Sequence, residues 1–211
     1  MDFERARERL IRSLEREITD GRVIQAMRKV PREIFVPLEH HYESYDDHPL
    51  PIGLGQTISQ PFIVALMVQA LELKGDEKVL ELGTGSGYEA AILAELVREV
   101  VTVEVIPELA ESAKRVLDKL GYSNINVHIA GKILGWPNEA PYEAIIVSAG
   151  APCVPQVLLD QLAWRGRIVI PVGSRQRQEL LKITKYKERN RVEHCGGCYF
   201  VPLIGEDAWK D

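Results

Sequence analysis

Apolar residues recur at helical spacing in the first segment, at Phe3, Ala6, Leu10, Ile11 and Leu14, with charged residues between them. That period predicts an amphipathic helix over residues 2–17 with a charged outer face. A second, shorter helix is expected over 21–29. Pro31 and Pro37 then bracket a short apolar piece, and the stretch to residue 55 is rich in Pro, His, Asp and Tyr, which predicts irregular structure. It is long for a plain connection, and extended loops inside compact domains tend to bind or cover ligands.

From Pro61 the pattern changes. Proline at a first helical position, followed by Phe62, Ala65, Leu66, Val68 and Leu71, predicts a helix that Gly75 and Asp76 end. Short apolar runs then alternate with helical periods: strands at 79–82, 99–104, 125–129, 144–147 and 167–172, and helices at 88–97, 107–120 and 155–162. The last stretches, 180–187 and 192–203, read as extended strands. Continuous apolar strands separated by helices imply a parallel sheet covered on both faces, with right-handed crossovers. The expected fold is α/β, a Rossmann-like, mostly parallel central sheet with an N-terminal helical extension. Residues 1–60 form that extension and its covering loop, and 61–211 form the core of one compact domain.

The run Val79-Leu80-Glu81-Leu82-Gly83-Thr84-Gly85-Ser86-Gly87 joins the first core strand to its helix. Glycine there permits positive φ and lets a ligand lie against bare backbone, while the next helix offers unpaired N–H groups. Glu104 ends the following strand, where a carboxylate can accept from two ribose hydroxyls. Because ligands in such sheets bind at the carboxyl ends of the strands, Gly83, Glu104, Gly131 and Ser148 fall on one edge. The G-x-G-x-G spacing departs from the dinucleotide fingerprint G-x-G-x-x-G, and it resembles motif I of the S-adenosylmethionine-dependent methyltransferases. A dinucleotide site and a glycine-rich turn without a ligand are the alternatives.

Composition narrows the partners. With 211 residues, 45% of them apolar, the chain can bury a substantial core. A formal net charge of −5 argues against general binding to a nucleic-acid backbone. No apolar run is long enough to span a membrane and the first residues are too charged for a signal peptide, so a soluble cytoplasmic protein, expected to be monomeric, is the default. Cys195-Gly196-Gly197-Cys198 has C-x-x-C spacing with no second pair to complete a zinc site, and His40, His41 and His48 lack the spaced acid and cysteine partners of a hydrolase or metal centre and read as polar loop residues. No metal is expected.

Upstream of the glycines lies Pro49-Leu50-Pro51-Ile52-Gly53, followed after three residues by Thr57-Ile58-Ser59-Gln60-Pro61. Read alone, Ser59 can cap the helix that Pro61 starts; read functionally, it hydrogen-bonds an anionic substrate at a positive helix end. Together with Val30-Pro31-Arg32, Phe35-Val36-Pro37, Gly135-Trp136-Pro137, Val169-Ile170-Pro171-Val172-Gly173 and Phe200-Val201-Pro202-Leu203, this segment closely resembles the protein-L-isoaspartate (D-aspartate) O-methyltransferases over nearly the whole chain.

The resemblance implies transfer of a methyl group from S-adenosylmethionine to the free α-carboxylate of isoaspartyl residues in damaged proteins. S-adenosylhomocysteine is the other product. The methyl ester then collapses to a succinimide. The resemblance makes Ser59 the catalytic residue, orienting that carboxylate. It assigns the cofactor to Ile58, Gln60, Glu81, Gly83, Thr84 and Gly85, and farther on to Glu104, Val105, Gly131 and Lys132. Peptide contacts are expected from residues 51–55 and 201–203, mostly through the main chain, as in strand addition. The chain departs from its family where Gly131-Lys132-Ile133 replaces Gly-Asp-Gly. Lys132 cannot accept a hydrogen bond from an adenine amino group, so either that contact is lost and cofactor affinity falls, or Lys132 points to solvent while backbone N–H and C=O groups hold the adenine. A methyltransferase of small molecules or RNA, and a non-enzymatic peptide-binding relative, are the competing readings.

Overall fold

A computed structural model describes residues 2–210. Its N-terminal part opens with α1 (Phe3–Leu14), which buries Leu10, Ile11 and Leu14, and α2 (Gly21–Lys29), which buries Val23, Ile24, Ala26 and Met27. Each is started by an aspartate. Asp2 accepts from the Arg5 N–H at 3.0 Å and Asp20 from the Arg22 N–H at 2.9 Å, satisfying donors that a helix start leaves free.

The stretch expected to be irregular is more ordered than its composition suggested. Two 3-10 turns, Arg32–Phe35 and Leu38–Glu43, lead into a hairpin of β1 (Leu50–Gly53) and β2 (Gln56–Ile58). Leu54 and Gly55 form its tip with φ of 51° and 73°. Two successive positive φ values suit the right-handed twist of the strands, and Leu54 is an unusual residue to adopt one. No Asn-Gly or Asp-Gly marks this turn, so the alternation around it carries little signal.

The core sheet contains β3 (Lys78–Leu82), β4 (Glu99–Glu104), β5 (Ile125–Ile129), β6 (Tyr142–Val147), β7 (Leu162–Gly173), β8 (Gln178–Thr184) and β9 (Arg191–Cys198) in the order β5-β4-β3-β6-β7-β8-β9. The five strands from β5 to β7 are parallel, and β8 and β9 are antiparallel to their neighbours. Helices α3 (Pro61–Ala70), α4 (Tyr88–Ala94), α5 (Pro107–Leu120) and α6 (Gln156–Gln161) complete it. Gly121 closes α5 in the left-handed conformation, with φ of 83°, as a C-terminal glycine does.

Strand side chains alternate between two apolar layers. Val79, Val100, Ala144, Ile146 and Val169 pack with α1 to α4, so the N-terminal helices share the main core. Leu80, Leu82, Val101, Val103, Ile145 and Val147 pack on the other face with Leu158 of α6. Full burial of each such side chain is worth about 1.5–3 kcal/mol.

The N-terminal segment is tied down by polar contacts as well. Arg7 donates to the Tyr45 hydroxyl at 2.8 Å and to the Arg28 carbonyl at 3.2 Å. The fully buried Arg32 guanidinium sits 5.0 Å from the centre of the Tyr88 ring, linking this segment to α4. Ser59 does not cap α3. Asp47, fourteen residues upstream of Pro61, accepts from the Phe62 N–H at 2.8 Å and from the Gln60 side-chain amide at 3.1 Å.

Asp47→Ala therefore removes a cap supplied from outside the helix. It should lower the urea midpoint by the equivalent of roughly 1 kcal/mol with an unchanged m-value. Parallel urea curves on wild type and variant check this.

Candidate functional site

The chain leaves β3 to build β4 and β5 on one side, then returns to build β6 and β7 on the other. Crossovers diverging from one strand open a crevice at its carboxyl end. A cavity occupies that crevice, walled by residues 56–59 before α3, the glycine turn after β3, Glu104 and Val105 after β4, residues 130–135 after β5, Ser148 and Ala149 after β6, and the C-terminal residues 201–205.

The glycine turn is held by β4. The Gly83 and Thr84 N–H groups donate to the Val103 carbonyl, at 2.9 and 3.4 Å. Gly83, Gly85 and Gly87 have φ of 96°, 51° and 88°, values that side chains resist. Space matters too at Gly87, where an added Cβ would lie 3.3 Å from Ala113 and Leu117 of α5. Glu104 is almost fully buried and braces the turn, since Oε2 accepts from the Gly85 N–H at 2.8 Å and Oε1 from the Ile106 N–H at 3.1 Å. Each oxygen keeps a lone pair for a further donor.

Beneath the turn lies a buried polar chain. Thr84 and Thr102 share a hydroxyl–hydroxyl bond of 2.6 Å, and the Thr102 hydroxyl donates to Glu81. Ser148 at the end of β6 donates to Glu89 of α4. Glu81 is fully buried, and its carboxyl is held well above the usual range by desolvation and by the charge of Glu89. Desolvation pushes the Glu89 carboxyl up to about 7, against the opposing pull of the Ser148 hydrogen bond. Glu81 Oε1 and Glu89 Oε1 are both buried without a hydrogen-bond partner.

The C-terminal wall depends on one side chain. Buried Gln178 of β8 accepts from the Phe200 N–H at 2.8 Å and donates to the Phe200 carbonyl at 3.0 Å, acting as a piece of strand. Val201 and Leu203 then bond to Gly150 in both directions at 2.8 Å. Glycine at 150 leaves room for this, because an added Cβ would press on the Gln178 amide and displace it from Phe200.

Of the residues singled out from the sequence, Ile58, Ser59, Gly83, Thr84, Gly85, Glu104, Val105, Gly131 and Lys132 line this one cavity. Ser59 is half-buried, and among the described residues its hydroxyl is bonded to no protein group. Lys132 and Ile133 are exposed at the rim. Two do not face it: the Gln60 amide turns to Asp47, and Glu81 lies in the core below. Glu89 was not singled out. The only charge in the apolar helix sequence Tyr88-Glu89-Ala90-Ala91-Ile92-Leu93-Ala94 is the signal that marks it. Cys195 and Cys198 are free thiols on the edge strand β9, raised by burial, Cys198 to about 11. Among the described residues no three His, Cys, Asp or Glu side chains are grouped to hold a metal, and no helix is long and apolar enough to cross a membrane.

A family model described as Protein-L-isoaspartate(D-aspartate) O-methyltransferase matches residues 5–208. The chain is 52% identical over 212 residues to Protein-L-isoaspartate O-methyltransferase 1 of Syntrophobacter fumaroxidans, covering all of this chain and 99% of that one. It is 50% identical to the Dictyoglomus thermophilum Protein-L-isoaspartate O-methyltransferase, covering all of this chain and 96% of that one. Among solved structures, a protein-L-isoaspartate O-methyltransferase superposes with a TM-score of 0.84 at 28% identity, over 96% of this chain and 67% of that one. A Plasmodium falciparum protein described as a protein-L-isoaspartate O-methyltransferase, solved in complex with S-adenosyl-L-homocysteine, gives a TM-score of 0.78 at 26% identity, over 92% of this chain and 96% of that one.

The buried acids set a pH dependence of the ligand-free fold. A carboxyl raised on folding favours the native state below its unfolded value near 4.3, and that contribution is lost as pH climbs through about 7. Glu89→Gln keeps the shape and removes the charge. Its melting temperature should exceed that of wild type by roughly 5 °C at pH 8 and match it at pH 4, which calorimetric melts at the two pH values check.

Proposed function

The chain belongs to the protein-L-isoaspartate (D-aspartate) O-methyltransferase family, and we infer that its cavity serves that family's reaction. It is an S-adenosylmethionine-dependent enzyme that methylates the free α-carboxylate of isoaspartyl residues in damaged proteins. The methyl ester it forms collapses as the neighbouring amide nitrogen expels methanol, giving a succinimide whose hydrolysis returns some normal aspartate.

The residues present suit the cofactor. Gly83 and Gly85 leave bare backbone for a ligand, and the Glu104 carboxylate, braced by two N–H groups, has acceptor capacity left for ribose hydroxyls. When bound, S-adenosylmethionine supplies the electrophilic sulfonium methyl group. The exposed Gly131 and Lys132 and the neighbouring Ile133 rim the end left for the adenine.

The observation that carries the catalytic assignment is the Ser59 hydroxyl, which lines the same cavity as the glycine turn and is spent neither on a helix cap nor on another side chain. We propose that it donates to the substrate carboxylate and fixes which oxygen faces the methyl carbon. A carboxylate is already ionised at neutral pH, so no group need take a proton from it. Orientation and desolvation of the anion then supply the acceleration, with reacting atoms brought to roughly 3 Å. The backbone of the β1–β2 hairpin and of residues 201–203 borders the opening and suits main-chain recognition of peptides that share no sequence. This family membership favours a protein carboxylate over the small-molecule and RNA alternatives.

With labelled S-adenosylmethionine, isoaspartyl peptides should be methylated and matched aspartyl peptides should not. Equal labelling of both would refute the assignment. Ser59→Ala should lower kcat roughly 10- to 100-fold while the S-adenosylhomocysteine Kd stays within about 2-fold. Comparable losses in both would move Ser59 to the cofactor. Lys132→Asp restores an acceptor beside the adenine and should tighten S-adenosylhomocysteine binding by about 5-fold or more by calorimetry. An unchanged Kd would assign Lys132 to solvent alone.

A further inference from the structure

Glu89 has a cost that the reaction as described does not use. Its carboxyl is over nine-tenths buried, lines the cavity, and spends only Oε2, on the Ser148 hydroxyl. Oε1 is shut away from bulk water with no partner in the protein. A buried carboxylate oxygen without a donor is among the more expensive features a fold can carry, and natural proteins rarely leave one unexplained.

Position says what donor would complete it. β3 is flanked by β4 on one side and β6 on the other. Glu104 stands at the end of β4, and Glu89 is tied to Ser148 at the end of β6, so the two acids stand on opposite sides of β3, where the flanking strands are about two strand spacings or roughly 10 Å apart. A Cβ added to Gly83 would lie 3.6 Å from Ser148, so the Glu89 end is also where backbone is bare. If Glu104 holds the ribose, the amino-acid end of the cofactor runs toward Ser148 and Glu89. That end carries an ammonium with three N–H donors.

We propose that Glu89 binds the ammonium group of the cofactor's amino-acid end through the carboxylate oxygen that the folded chain leaves unpartnered. The inference rests on the methyl-transfer reading. Glu81 of β3 is the titratable group that feels the charge of Glu89, and Glu104 of β4 acts on Glu81 as well. From β6 only the Ser148 hydroxyl reaches it, and among the described residues no Lys or Arg pairs with Glu81 or Glu89. Burial disfavours the charged form of Glu89, and a charge on Glu89 in turn disfavours ionisation of Glu81, so the free protein holds protons at this pair to higher pH than exposed carboxyls would. Arrival of the ammonium supplies the missing positive charge. The Glu89 carboxylic acid releases its proton to solvent and becomes the carboxylate of an ion pair. Cofactor binding is therefore coupled to proton release, and affinity rises with pH through neutrality.

Calorimetry on the full chain tests this with S-adenosylhomocysteine and its deaminated analogue, which lacks only the amino group. Wild type at pH 8 should bind the deaminated analogue roughly 10- to 100-fold more weakly. Glu89→Gln should weaken S-adenosylhomocysteine by a similar factor and change the analogue by less than about 3-fold, so that discrimination for the amino group collapses. Titrations in buffers of different ionisation heat should show proton release by wild type between pH 6 and 7, absent in the variant. Equal losses for both ligands, or no loss, would overturn the assignment of Glu89. Should Glu89→Gln fail to fold by circular dichroism, Ser148→Ala serves instead. It removes the hydrogen bond that lowers the Glu89 pKa and should move the midpoint of the affinity–pH curve upward, and an unmoved midpoint would count against the proposal. If wild type binds no S-adenosylhomocysteine, the methyl-transfer reading fails and takes this inference with it.

Discussion

The reversal of strand order at β3 is the constraint on which everything else depends. Right-handed crossovers carry the chain outward through β4 and β5, and the return to β6 forces the next pair to grow the other way. The loops at the carboxyl ends of β4 and β6 must then diverge, and no local packing can fill the gap between them. The glycine turn, Glu104 and Ser148 are the chain's responses to a crevice that topology creates. Residues 56–59 with the start of α3 close one flank of it and the C-terminal segment another, which is why elements far apart in sequence meet there.

Much of this was legible before the structure. The strands and helices of the parallel half follow from period and punctuation: β4, α5 and β5 fall at 99–104, 107–120 and 125–129, where the apolar pattern sets them. The glycine turn and Glu104 declare themselves because backbone conformation and a strand-end acid are local features. The β1–β2 hairpin was hidden, since its turn uses Leu54 where such turns favour Asn, Asp or Gly. The cap of α3 was hidden as well. Ser59 has the right chemistry at nearly the right spacing, yet Asp47 does the work from a distance that sequence does not reveal. Gln178 escaped for the same reason, its partners lying at Phe200.

The site trades stability for ligand chemistry. Glu81 and Glu89 occupy positions where leucine or methionine would pack at no electrostatic cost, and Glu81 sits within a strand whose other residues are apolar apart from Lys78 at its start. Buried polar groups with free valences are tolerated where a ligand completes them, and local sequence rules fail at such places more than elsewhere. The thiols of β9, raised by burial and unpaired, show the contrast: polarizable groups that pack with the core and leave the crevice alone.

The cavity wall is recruited from segments spread between Gln56 in the hairpin and Gly205 beyond the last strand. A small molecule seated there touches segments that lie far apart in sequence and adds its own contacts to those that already join them. Binding energy of that kind adds to the free energy of the whole fold, about 2.7 kcal/mol when the ligand stands at a hundred times its Kd. The supply of methyl donor in a cell is thus a variable of the enzyme's own persistence as well as its turnover. A repair protein starved of its donor would lose standing in the very population of failing chains it serves.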